Sequence, residues 1–112
     1  MANVIEGGIS RENNEILFQD GEGLKISMAK DQDEGRRTII FRPQNVALCK
    51  QGGDFQGVVK LREFLGNIVR YEILVGNKHL IVDEVYGKDR SPTEVGAEVE
   101  LKLDKDYILV MG

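Results

Sequence analysis

The sequence is poor in the residues that most often build catalytic, metal and disulfide sites. It has one cysteine, Cys49, one histidine, His79, two prolines and no tryptophan. A single cysteine excludes an intramolecular disulfide. Because Cys49 follows the apolar run 46–48, we expect it to be a small buried hydrophobic residue. No serine or cysteine stands beside His79, so we predict it at a strand end on the surface.

Long apolar segments are also missing. No stretch approaches the roughly 20 residues that cross a bilayer. The first residues lack the basic start and the apolar run of a secretion signal. The sequence therefore predicts a cytoplasmic location. Its apolar pattern begins within a few residues of Met1, which favours a piece of a longer polypeptide.

Basic residues are fewer than acidic residues. The chain has 15 lysines and arginines against 19 acidic residues, a net charge of −4. Proteins that bind nucleic acid nonspecifically usually have the opposite balance. A barrel that stacks bases also needs exposed aromatic side chains, whereas the four phenylalanines fall at mostly core-like positions: Phe18, Phe41, Phe55 and Phe64. No nucleic-acid partner is predicted.

No segment fits a metal or nucleotide site. The acidic stretch that begins at Asp31 hints at a calcium loop, but its fifth position is Gly35 and its twelfth is Arg42, where an EF-hand has oxygen ligands. We expect a solvated turn there. No Gly-x-x-x-x-Gly-Lys-Ser/Thr phosphate loop is present. The chain is predicted to have no catalytic residue, cofactor or metal of its own, and not to hydrolyse ATP.

What the sequence does have is apolar–polar alternation with a period of two, which is typical of half-buried strands. Turn residues separate the alternating segments. The pattern predicts an all-β barrel or sandwich in one domain, residues 1–112. Short helical turns are expected at 43–46 and 91–94, and residues 88–94 are expected to form an exposed polar loop. The predicted strands are 3–9, 15–19, 24–29, 37–42, 46–49, 56–64, 68–75, 79–85, 98–103 and 106–110.

An apolar-x-Gly-x-apolar pattern occurs twice. Ile5-x-Gly7-x-Ile9 and Phe55-x-Gly57-x-Val59 each open a predicted β unit. A glycine within a strand often permits a bulge or a close approach of backbone. Duplication and coincidence explain this match equally well.

The order of several short motifs is more specific. An apolar strand ends in Arg42-Pro43-Gln44, and Gly57-Val58-Val59, Leu65-Gly66 and a strand that starts near Tyr71 follow. Near the end of the chain, Gly96 opens a Gly-x-x-Val strand. This order resembles the transport-associated OB domain, or TOBE domain, at the C-terminus of the ATP-binding subunits of ABC importers. Gln44 stands where that family usually has glutamate.

The resemblance implies an OB-like architecture of two small interleaved barrel units, 1–50 and 51–112, that share one core. It also implies a regulatory and dimerisation role in a parent ATPase that energises solute import. The implied partners are a second copy of the domain, the parent nucleotide-binding domain and, through it, the membrane permease subunits. ATP and magnesium would belong to that parent domain, which would lie at the inner face of the plasma membrane. Gly57 and Gly66 are expected to be structural.

A stand-alone barrel that binds an oxyanion such as molybdate is the alternative. Arg36 and Arg37, together with Arg42, could hold an anion. Relatives of this fold that bind molybdate or sulfate carry a Ser-Ala-Arg-Asn-like segment near the first strand, of which only Ala2-Asn3 remains here. Structural salt bridges are the expected role of these arginines.

Overall fold

The computed structural model describes residues 1–87 and 91–112. It contains ten strands and two short 3-10 turns, Pro43–Asn45 and Lys105–Tyr107. The all-β prediction is therefore confirmed. The strands are β1 (Asn3–Glu12), β2 (Glu15–Gln19), β3 (Lys25–Ser27), β4 (Gly35–Phe41), β5 (Val46–Cys49), β6 (Phe55–Leu65), β7 (Ile68–Val75), β8 (Lys78–Val85), β9 (Glu98–Leu103) and β10 (Leu109–Met111).

The last predicted strand starts later than expected. Asp104 caps the turn that precedes β10: its carboxylate accepts a hydrogen bond from the Asp106 amide at 3.2 Å, and its carbonyl accepts one from the Tyr107 amide. These bonds hold the backbone in a 3-10 turn, so extended structure begins only at Leu109.

The helical turn predicted at 91–94 is wrong. The Thr93 amide donates to the Tyr71 hydroxyl at 3.0 Å, and the Thr93 carbonyl accepts from the Arg62 guanidinium at 3.1 Å. Backbone groups that bond to the sheet in this way are not free to form helical bonds. Pro92 and Thr93 are half-buried, so the loop is only partly exposed, and residues 88–90 of that prediction lie outside the described residues.

The ten strands form two five-stranded antiparallel sheets. The first sheet has the order β10-β4-β1-β2-β3, and the second has the order β5-β9-β6-β7-β8. Each half of the chain places four strands in one sheet and its fifth strand in the other. The structure therefore confirms an OB-like fold with two interleaved units.

The inner faces of both sheets share one hydrophobic core. Its fully buried members include Ile5, Phe18 and Ile39 of the first sheet, and Tyr71 and Val82 of the second. The buried side chains of the two sheets thus form one continuous cluster.

Two residues that were predicted to be buried in the core are not. Phe64 is 54% exposed, because β6 is irregular between Val59 and Leu61 and its hairpin with β7 continues past the core. The Phe64 ring instead packs edge-on against Tyr86, with 6.1 Å between ring centroids. Cys49 is only half-buried, and its Sγ lies 3.6 Å from the Glu100 carbonyl.

The two edges of the second sheet are tied together. The Leu48 amide of β5 donates to the Glu84 carboxylate of β8 at 3.2 Å. From the first sheet, the buried Asn3 side chain bonds both the amide and the carbonyl of Ile81 in β8 at 2.8 Å. The Asn3 side chain thus takes the place of a further strand beside β8. The contact between β5 and β8 closes the second sheet into a barrel.

Candidate binding surfaces

The segment Arg42-Pro43-Gln44 lies where the chain crosses from the first sheet to the second. Arg42 is extended and exposed, Pro43 is buried at the first position of the 3-10 turn, and Gln44 is exposed. The Asn45 amide bonds the Arg42 carbonyl, and the Asn45 carbonyl accepts from the Asp104 amide, both at 2.9 Å. The motif therefore shapes a crossover between sheets. Among residues 1–87 and 91–112, its side chains form no ion pair.

The motif glycines occupy different environments. A β-carbon on Gly57 would lie 2.5 Å from Ile73 Cγ2 and 3.0 Å from the Leu74 carbonyl oxygen, so no larger residue fits without displacement. Gly66 forms the β6–β7 turn with a φ of 71°. Gly96 precedes β9 with a φ of 92°, in the left-handed region that glycine tolerates best. All three glycines shape backbone and present no functional group.

The arginines that sequence reasoning grouped as an anion site are not together. Arg36 and Arg37 open β4, whereas Arg42 follows its end. At about 3.4 Å per residue, the two groups lie roughly 17 Å apart along the strand. The predicted salt bridges are also missing, since none of the three forms an ion pair within residues 1–87 and 91–112.

Arg36 and Arg37 border a shallow cleft of about 270 Å³ on the first sheet. The Arg37 guanidinium donates to two backbone carbonyls, of Arg36 at 2.7 Å and of Asp33 at 3.1 Å. The Glu6 carboxylate belongs to the same cleft. An anion here would meet one engaged guanidinium and a negative charge, which weakens its binding.

One larger cleft lies over the second sheet and the other lies between that sheet and the β2–β3 turn. Most of their acidic side chains already have partners. One cleft of about 470 Å³ includes Glu100, whose carboxylate accepts from the Gly53 amide at 2.8 Å. The adjacent cleft of about 390 Å³ includes Asp20 and Asp54, which bind Lys78 and Lys105. These carboxylates stabilise turns and leave little charge for a ligand.

Asp20 is the most buried of these carboxylates. Its side chain is 3% exposed and contacts Lys78 Nζ at 2.6 Å. Burial acts to raise the pKa of Asp20, but the hydrogen bonds from Lys78 and from the Glu22 and Leu24 amides outweigh it and lower that pKa. The Asp20 hydrogen bond in turn raises the pKa of Lys78. The pair joins the end of β2 to the start of β8, and so connects the two sheets.

The remaining polar candidates behave as surface groups. His79 is exposed at the start of β8, as predicted, and its Nδ1 lies 2.9 Å from the Glu72 carboxylate. Asp31 is exposed and pairs with Arg11, in agreement with a solvated turn. Within residues 1–87 and 91–112, no three potential ligands are grouped as a metal site. No helix in that part of the chain is long and apolar enough to cross a membrane.

Sequence reasoning missed an apolar surface on the outer face of the first sheet. Val4, Ile40 and Leu109 are directly paired across β1, β4 and β10, and Met111 lies in the next row. All four residues lie on the same face of the sheet, and we call them together the apolar row. Val4, Leu109 and Met111 are 58%, 56% and 52% exposed. The sequence carried one signal for this surface: segments that are apolar at consecutive positions, such as Val4-Ile5 and 107–111, and therefore on both faces of a strand.

A family model for the TOBE domain matches residues 39–111. No curated protein matches the chain in sequence. Among solved structures, the fold is similar to that of the cytoplasmic molybdate-binding protein ModG in a form with molybdate bound. The TM-score is 0.67 at 14% identity, over 97% of this chain and 94% of that one. The similarity covers both sheets, and the matched motifs run from β4 to β10. The chain belongs to the TOBE domain family.

Proposed function

We propose that this chain is the C-terminal regulatory and dimerisation domain of an ATP-binding subunit of an ABC importer. The order of motifs from Arg42-Pro43 to Gly96 supports this role, because it resembles that class of TOBE domain. TOBE domains are binding and regulatory modules, and catalysis would belong to the parent ATPase domain with its ATP and magnesium.

One observation carries the proposal: the domain has a complete core and still exposes the apolar row. Contiguous exposed apolar side chains on a folded domain usually mark a surface for another protein. The charged clefts, by contrast, contain side chains that are already paired. Contact with protein therefore accounts for this surface better than capture of a small ligand.

The partners follow from that role. The domain would contact a second copy of itself and its parent nucleotide-binding domain, and through that domain the permease subunits. Its place would be the cytoplasm, with the parent held at the inner face of the plasma membrane. Regulation would consist of different contacts in two states of the transporter.

Sedimentation of the 112-residue chain from micromolar to millimolar concentration tests the proposal. We expect a weak, reversible dimer, because an isolated domain buries less than about 1,000 Å² without its ATPase neighbours. A strict monomer over the whole range would contradict the dimerisation role.

The cleft beside Arg36 and Arg37 favours a second candidate, an oxyanion-binding domain. Two guanidinium groups there could receive an anion if Arg37 left its carbonyl partners. The similarity to a molybdate-binding protein also supports this candidate.

Calorimetry with molybdate, tungstate and sulfate separates the two candidates. Saturable heat that disappears in Arg36→Ala and Arg37→Ala variants would favour the oxyanion role. A Lys60→Ala variant serves as a control, because it removes an exposed positive charge from β6 in the other sheet.

A further inference from the structure

We propose that the end of the β6–β7 hairpin, together with the adjacent end of β8, inserts into the interface of a lipid bilayer. This contact is additional to the protein contacts of the proposed function, and it lies on the second sheet, whereas the apolar row lies on the first. Five apolar residues form the inserted surface, which we call the hairpin tip: Phe64, Leu65, Ile68, Val85 and Tyr86.

The hairpin tip is apolar on both faces of the sheet. Leu65, Ile68 and Val85 are directly paired across β6, β7 and β8, and so share one face. The Phe64 ring lies on the opposite face and packs edge-on against Tyr86. Phe64, Leu65, Val85 and Tyr86 are 54%, 41%, 77% and 50% exposed. A flat protein surface would cover only one of these faces, whereas lipid surrounds an inserted hairpin on all sides.

The composition of the tip suits a membrane interface. Residues 64–69 and 85–87 contain no lysine, arginine, aspartate or glutamate. A charged side chain there would oppose insertion, because its transfer into lipid is costly. Aromatic side chains with an apolar body, such as those of Phe64 and Tyr86, are favoured at the level of the lipid headgroups.

The main chain of the tip is largely satisfied within the protein. Leu65 pairs with Ile68, so the turn between β6 and β7 has only two residues, Gly66 and Asn67. The Asn67 carbonyl accepts a hydrogen bond from the Tyr86 amide at 2.7 Å. Backbone groups without partners would otherwise be costly in lipid. The Asn67 side chain at the apex favours shallow insertion, about 5–10 Å deep as for amphipathic helices, where lipid phosphate and ester groups offer hydrogen bonds.

The charged residues behind the tip indicate which lipid it fits. The Arg70 guanidinium donates to both carboxylate oxygens of Asp83, at 2.8 and 2.9 Å. The Arg62 guanidinium lies 3.5 Å from the Glu94 carboxylate. Both arginines are thus neutralised, whereas Glu63 forms no ion pair among residues 1–87 and 91–112. This excess of negative charge fits a zwitterionic headgroup better than an anionic one.

Sedimentation of the full chain with phosphatidylcholine vesicles tests the insertion. We expect the wild-type chain to bind reversibly, in proportion to the accessible lipid. Leu65→Asp and Val85→Asp should each lower the partition coefficient about tenfold or more, because each places a carboxylate in the interface. Leu109→Asp is the matched control, since it changes a residue of the apolar row that is 56% exposed, and it should bind like the wild type. Circular dichroism and thermal unfolding establish that the variants are folded.

Tryptophan fluorescence tests whether the tip itself enters the lipid. The chain has no tryptophan, so a single introduced indole reports only its own surroundings. The emission of Leu65→Trp should shift to shorter wavelength when phosphatidylcholine vesicles are added, because the indole leaves water. The emission of Leu109→Trp, the control on the other sheet, should not change.

The composition of the vesicles tests the assigned headgroup. Replacing part of the phosphatidylcholine with anionic phosphatidylserine should lower the partition coefficient, because the chain has a net charge of −4 and the tip adjoins Glu63. Added salt should not release the chain from phosphatidylcholine, because apolar burial is not screened by ions.

Three results would overturn the insertion. The first is a wild-type chain that does not bind phosphatidylcholine vesicles; a dimer of that same chain in sedimentation would still support the proposed function. The second is an equal loss of binding in Leu65→Asp and Leu109→Asp, which would assign the binding to apolar surfaces in general. The third is binding to anionic vesicles alone that salt abolishes, which would assign it to charge.

Discussion

At the scale of single residues, Gly57 is constrained by the atoms that surround it. Its missing β-carbon would lie 2.5 Å from Cγ2 of Ile73, a fully buried core residue. Gly57→Val should therefore lower the free energy of unfolding by about 1–3 kcal/mol through overpacking. Denaturant unfolding followed by circular dichroism measures this change.

Gly87→Val is the matched control, because no atom of the residues that the structure describes lies within 4 Å of its β-carbon position. We expect that variant to stay within about 0.5 kcal/mol of wild type. Equal stability of the two variants would mean that the space around Gly57 is not limiting.

Asn3 shows how a single side chain can replace a strand. Its amide group bonds the Ile81 amide and carbonyl at 2.8 Å each, and it is the one buried polar residue identified in the described core. Asn3→Ala would leave both backbone groups without these partners, and it should cost about 1–3 kcal/mol. Thermal unfolding measures the loss.

The exposed Gln44→Ala provides the comparison for Asn3→Ala, because it removes an amide side chain with no identified hydrogen bond. It should change stability by less than about 0.5 kcal/mol. If Asn3→Ala melts at the same temperature as Gln44→Ala, water replaces the Asn3 contacts without cost.

At the scale of elements, Asp20 and Lys78 connect the β2–β3 turn to β8. Because the folded pKa of Asp20 is lowered, its stabilisation is present above the unfolded value of about 3.9 and is lost as the pH falls through the folded value. The raised pKa of Lys78 adds stability below about 10.4, which is lost as the pH rises through its folded value. The contact should thus stabilise the fold between roughly pH 4 and 10.

Asp20→Asn should therefore cost about 1–3 kcal/mol at pH 7 and distinctly less at pH 3, because below its unfolded pKa Asp20 binds a proton in the unfolded chain that the Lys78 contact opposes in the folded one. Urea unfolding at both pH values measures the difference. The exposed Asp31→Asn is the control and should be near neutral, since its pair with Arg11 lies in solvent. A deficit of equal size at both pH values would assign the effect to packing.

Strand positions could be predicted from sequence because alternation is a local property. Nine of the ten predicted strands start within two residues of the observed ones, and the exception, β10, was displaced by the Asp104 cap. The pairing of β5 and β10 with the opposite sheets is not local, and only the family resemblance indicated it.

The binding surfaces were harder to predict, because they too depend on how segments distant in sequence are placed together. Arg42 appeared to join Arg36 and Arg37 because all three are close in sequence, but an extended strand keeps its ends apart. Phe64 appeared to be a core residue because alternation cannot show where a hairpin leaves the core. The apolar row depends on the register of three strands that are distant in sequence.

At the scale of the whole molecule, the exchanged fifth strands should make the two halves unfold together. Leu48 belongs to the first half but is buried in the second sheet, where β5 pairs with β9. Leu48→Ala should lower the free energy of global unfolding by about 2–5 kcal/mol. The opening free energy measured by hydrogen exchange should fall by the same amount at slowly exchanging amides of both sheets. Hydrogen exchange at Ile39 in β4 and Ile73 in β7 reports the two sheets separately.

The exposed Val85→Ala is the control and should alter neither amide. A loss of protection at Ile73 with full protection at Ile39 would show that the units unfold independently, in which case a regulatory signal received by one unit would not have to reach the other.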